Sequence, residues 1–141
     1  MTHDDFVAFL EAISTPFINR DYAAWRRVTL IPFSMVTKDG PVALGTEEAM
    51  RRNFDNYLLA CTALKLDQIL RKPIRLEDCG DGTVIGTYET ELLSRGHRAT
   101  APYVSSGLIH HTSEGYKLSS ILNARGHHSW TGRDPKTEGT T

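Results

Sequence analysis

Apolar positions recur along this chain first with a helical period and later with a strand period. Phe6, Phe9, Leu10, Ile13 and Phe17 fall at helical spacing. Thr2, with Asp5 three residues on, forms a capping-box start, so a first helix is predicted from about His3. Pro16 should kink or end it. Asp21 then caps a short second helix that buries Tyr22, Trp25 and Val28. Pro32 opens a strand over Phe33 to Thr37, Lys38-Asp-Gly-Pro41 is a turn, and Val42 to Leu44 closes a hairpin. Thr46 caps a third helix, with Glu47 and Glu48 at its positive end and Met50, Phe54, Tyr57, Leu58 and Cys61 as its apolar stripe.

Beyond that helix the period shortens to two. Ala63 to about Asp78 reads as a long strand bent or broken at Pro73. An up-down-up meander follows: Thr83 to Leu93, about Ala99 to His111, and Tyr116 to Arg125, separated by glycine-containing polar turns. Alternation puts Val84, Gly86, Tyr88, Thr90 and Leu92 on one face of the first of these strands, with Ile85, Thr87, Glu89, Glu91 and Leu93 on the other. In the second, Tyr103, Ser105, Gly107 and Ile109 oppose Val104, Ser106 and Leu108. Neither face is cleanly polar, so both are expected to be at least partly covered, one by helices and the other by a second subunit.

Composition narrows the class. The 141 residues suit one well-buried domain over 1–125, followed by a polar, flexible tail over 126–141 in which Trp130 is almost alone as an apolar residue. With 40% hydrophobic and 23% charged residues the chain is an ordinary globular one, and no apolar run is long enough to span a bilayer. Met1-Thr-His-Asp-Asp5 is acidic where an export signal is basic, so a cytoplasmic location is expected. A formal net charge of -1 offers nothing to nucleic acid or an anionic membrane. Arg71-Lys72-Pro73-Ile74-Arg75, the one dense basic cluster, reads as a solvated edge strand. Cys61 and Cys79 form neither a disulfide framework nor a metal-ligand spacing, and no cofactor is implied.

Several residues could carry chemistry. Tyr88 and Tyr103 lie on corresponding faces of adjacent strands, where a phenol over an apolar pocket can hold a ligand carbonyl or hydroxyl. Ser105 shares the face of Tyr103, and Trp25 and Tyr57 should face the sheet from the helices. Glu89 and Glu91 share a face and could pair as acid and base, although strand carboxylates more often line a solvated or dimer-rim face. His110 is a candidate proton shuttle or ligand contact. His127 and His128 in the tail are a remote candidate for a metal.

The order helix, helix, hairpin, helix, long antiparallel sheet resembles the NTF2-like superfamily, also called SnoaL-like or ketosteroid-isomerase-like. Phe17-Ile-Asn-Arg-Asp21-Tyr-Ala-Ala-Trp25, Phe33 through Gly40, Thr46-Glu-Glu-Ala-Met50 and Gly115-Tyr-Lys-Leu118 carry the resemblance. It implies an α+β cone, a curved and mostly antiparallel sheet with three helices packed on its concave face, an apolar pocket between them, and a homodimer built through the sheets. Family members include isomerases, cyclases, dehydratases, epoxide hydrolases and binding or assembly modules, so the fold leaves function open. The tyrosine and two acids that ketosteroid isomerases use fall by spacing near Ile13, Val36 or Thr37, and Gly107, of which Thr37 alone is polar. The expectation is a homodimer binding a small, mostly apolar ligand through Trp25, Tyr57, Tyr88, Tyr103, Ser105 and His110. The alternative is an isomerase, cyclase or dehydratase of a polyketide-like or terpenoid substrate, with Tyr88, Tyr103 or His110 in acid/base roles. An assembly module without a small ligand is a third.

Overall fold

A computed structural model describes residues 1–124. Helices α1 (His3–Asn19), α2 (Tyr22–Arg27) and α3 (Glu47–Ala63) combine with strands β1 (Thr29–Thr37), β2 (Gly40–Leu44), β3 (Gln68–Gly80), β4 (Thr83–Ser94), β5 (His97–Arg98), β6 (Tyr103–Thr112) and β7 (Gly115–Leu122). The sheet runs β2-β1-β7-β6-β4-β3, with β5 pairing β4. All pairings are antiparallel except β1 with β7. The result is an open, curved α+β cone with its helices over the concave face.

Each helix starts where its capping residue dictates. Thr2 and Asp5 exchange both capping-box hydrogen bonds, and Asp21 and Thr46 accept from the backbone N–H groups of Ala24 and Ala49. Pro16 does not end α1. The helix continues to Asn19 and closes on Arg20 in the left-handed conformation, whose following N–H, that of Asp21, donates to the carbonyl of Pro16. Lost at the last turn, one helical bond is a small deficit beside the burial of Ile13 and Phe17 on either side.

Several boundaries differ from the expectation, and among them β2 begins at Gly40 and β7 ends at Leu122. β1 begins at Thr29, with Pro32 inside it after a cis peptide bond. The prolines fit because β1 pairs irregularly with β7 between Thr29 and Ser34, while Pro41 and Pro73 lie on the two outermost strands, where a ladder donor is dispensable. Ala63 belongs to α3, and β3 begins only at Gln68. The second meander strand begins at Tyr103 rather than Ala99, after the two-residue β5 has completed a tight turn at Arg95 and Gly96, both at positive φ. The tail proposed over 126–141, with His127, His128 and Trp130, lies outside the described residues.

The core lies between helices and sheet. Phe6, Phe9, Leu10 and Ile13 of α1 join Phe33, Met35, Leu44, Met50, Phe54, Ile109 and Leu118. Phe17, Trp25 and Phe54 form an aromatic cluster with centroids 4.8 to 5.8 Å apart. Such pairs contribute about 0.5–1.5 kcal/mol each beyond area burial. Among the described residues no helix is long and apolar enough to cross a membrane.

Candidate functional site

Register decides what the concave face presents. Arg71 on β3 is paired with Thr90 on β4, and Thr90 with Tyr103 on β6, giving one row of cation, hydroxyl and phenol across three strands. The next row is Pro73, Tyr88 and Ser105. Partners in such a row have Cβ atoms about 4.5–5.5 Å apart. Above these rows the helices leave a cavity of about 60 Å³, measured to the centres of water-sized spheres. At roughly 10–15 Å³ per water on that measure, the space suits a small molecule. Ile13 and Phe17 come from α1, Trp25 from α2, Asn53, Tyr57, Ala60 and Cys61 from α3, and Phe33, Met35, Leu118 and Ile121 from β1 and β7.

Trp25, Tyr57, Tyr88, Tyr103 and Ser105, expected at the pocket, all line this cavity. His110 does not. Its neighbour Ile109 is buried against the helices, so alternation turns His110 to the outer face, where Nε2 is 2.6 Å from Ser119 Oγ. That parity was already present in the grouping of Tyr103 with Ile109. Glu89 and Glu91 also face outward: Glu91 is 7% exposed, with Arg98 Nη2 at 2.5 Å and Lys72 Nζ at 3.3 Å. The two carboxylates are therefore not a pocket pair, and Glu91 is held by cations.

Arg71, Thr90 and Asn53 are lining residues that sequence reasoning missed. The guanidinium of Arg71 is anchored from one side by α1: Nη1 donates to Ser14 Oγ at 2.6 Å and to the Ile13 carbonyl at 3.4 Å. Its centre lies 6.0 Å from the Tyr88 ring centroid. Arg71 Nε, Thr90 Oγ1 and Asn53 Oδ1 are buried side-chain polar atoms without a hydrogen-bond partner. Leaving such an atom unserved costs about 1–3 kcal/mol, so this cavity has polar demand set into apolar walls. Asn53 was legible in part, since it falls three residues after Met50 on the inward stripe of α3. Arg71 was not, because its cluster reads as an exposed edge.

The acid–base repertoire of the cavity is narrow. Burial pushes the Tyr88 phenol up to about 12, with Tyr103 adding to the rise against the opposing pull of Arg71. Burial also raises the Cys61 thiol. No carboxylate and no imidazole lines the cavity among the described residues. Among the described lining residues there are apolar walls and a few polar groups but no side chain suited to take a proton near neutral pH. Nor do any three His, Cys, Asp or Glu residues among those described converge to hold a metal.

The architecture has close counterparts among solved structures. An NTF2-like protein of unknown function from Shewanella oneidensis MR-1 superposes with a TM-score of 0.67 at 12% identity, over 86% of this chain and 98% of that one. The fold is NTF2-like. A candidate dehydratase of the NTF2-like family from Streptomyces avermitilis has a TM-score of 0.57 at 17% identity, over 85% of this chain and 92% of that one. A domain of unknown function with a cystatin-like fold from Nostoc punctiforme PCC 73102 gives 0.59 at 11% identity, over 89% and 79%. No family model and no curated protein matches the sequence. At these identities the NTF2-like likeness speaks for the fold alone, and the cavity must speak for function.

Proposed function

We propose that this NTF2-like domain is a binding module, whose cavity takes a small, mostly apolar molecule and whose outer sheet face forms a homodimer. The observation that carries the first part is the lining itself. Ile13, Phe17, Trp25, Phe33, Met35 and Leu118 supply apolar walls, while a few polar atoms converge without partners, as in ligand pockets generally. An isomerase, cyclase or dehydratase using Tyr88 as its base would rely on a phenol pushed up to about 12, which is poorly matched to that task.

The dimer rests on the other side of the sheet. Val36, Val104 and Leu122 are 41%, 42% and 54% exposed. Alternation places them opposite the inward-facing Met35, Ser105 and Ile121. Between them Thr87 and Ser106 hydrogen-bond at 2.8 Å, as do Ser34 and Ser120 at 3.0 Å, so these four hydroxyls already have a partner within the face, while the charged Glu89, Glu91, Lys72 and Arg98 lie toward the β3 and β5 side. The part of the face around Val36, Val104 and Leu122, apolar at several points and paired in its hydroxyls, can be covered by a copy of itself at less desolvation cost than its charged margin.

Two measurements test the reading. Chemical-shift titration with neutral probes such as toluene and cyclohexanone should move resonances of Trp25, Ile13 and Leu118, and unchanged lining resonances at saturating probe overturn the pocket. Light scattering should give a dimer that Leu122→Arg dissociates, and a monomer at working concentration overturns the dimer. Turnover of any probe would return the enzymatic reading.

A further inference from the structure

Arg71 is the one cation among the residues lining the cavity, and no carboxylate pairs with it among the described residues. Its Nη1 is committed to Ser14 and Ile13 of α1, which fixes the guanidinium plane. Its Nε remains unpartnered and shut off from solvent. Thr90, directly across the strand pair and 0% exposed, likewise leaves Oγ1 unpartnered. Two donors thus lie side by side on one row of the floor, one of them carrying a full positive charge.

Resting on the pocket reading above, we propose that the ligand is a small apolar carboxylic acid, its carboxylate seated against Arg71 Nε and Thr90 Oγ1 and its body among Phe17, Trp25 and Leu118. A carboxylate accepts from both donors at once and neutralises the buried cation, which a ketone or alcohol cannot do. The walls impose the apolar body, and a cavity of about 60 Å³ keeps it short. Asn53 Oδ1, an acceptor on α3, gives a hydroxyl on that body a place to donate. Arg71 supplies fixed charge for this role, because a guanidinium stays protonated throughout the working range.

The test compares hexanoate with hexanamide, an uncharged isostere, by NMR titration and calorimetry at pH 7. The wild-type protein should bind hexanoate at least roughly ten-fold more tightly, the scale of a charge-assisted hydrogen bond. Arg71→Gln should bring the two ligands to near-equal affinity, and Thr90→Val, which keeps the side-chain shape, should weaken hexanoate several-fold. Circular dichroism and thermal melting show that the variants are folded. Equal binding of acid and amide by the wild type, or an acid preference that survives in Arg71→Gln, overturns the head-group assignment. Failure of hexanoate to bind overturns it too, and the neutral probes report separately on whether the apolar pocket stands.

Discussion

Gly86 on β4 and Gly107 on β6 are direct partners across the strand pair, and both present a bare Cα on the concave side of the sheet. A Cβ at Gly86 would come within 2.7 Å of two ring carbons of Phe6, and one at Gly107 within 2.8 Å of Leu118 Cδ1. Gly86 lets Phe6 of α1 close onto the floor, and Gly107 leaves room for Leu118 of β7. Phe6 and Leu118 are each 1% exposed, so neither has free space to move into. Gly86→Ala and Gly107→Ala should therefore each destabilise by about 1–3 kcal/mol, the usual range for overpacking. Urea midpoints measure both. Adding Phe6→Leu to Gly86→Ala should recover part of the loss, and strict additivity of the two would contradict the contact.

The phenols offer a spectroscopic check on burial. Among the five tyrosines, Tyr22 and Tyr88 are both pushed up to about 12, in each case chiefly by burial. Absorbance at 295 nm should show phenols that ionise only near pH 12, and Tyr88→Phe should remove one of them. A folded-state pKa above the unfolded value of 10.0 means stability that is intact below pH 10 and lost as pH rises toward 12. The slope is about 1.4 kcal/mol per pH unit for each fully mismatched proton, so Tyr88→Phe should lessen the alkaline loss.

Glu91 governs the opposite limb. Its hydrogen bond from Arg98, then the neighbouring Lys72, holds its carboxyl below the usual 4.5. A folded-state pKa lowered in this way gives stability present above 4.5 and lost as pH falls through the lower folded value. Melting temperature followed from pH 6 to 3 should fall less steeply in Glu91→Gln than in the wild type. Parallel curves would show that the Arg98 and Lys72 contacts contribute nothing to acid sensitivity.

The sequence by itself determined the helices, the order of elements and which residues share a face within a strand, since these rest on local rules. Thr2, Asp21 and Thr46 cap the helices they were expected to cap, because a capping side chain reaches only its own first turn. Alternation grouped Tyr88 with Thr90, and Tyr103 with Ser105, and all four line the cavity. Tertiary structure alone decided the role of Arg71. A basic run with a proline reads as a solvated edge, and β3 is indeed an edge strand. Yet pairing Arg71 with Thr90 turns that side chain inward, while Lys72, one residue on, is turned outward to Glu91. Such parity is fixed by strand register, and a shift of one residue exchanges every inward and outward position. Register in turn is set by non-local pairing with β4 and by packing under α1, which no stretch of β3 encodes on its own.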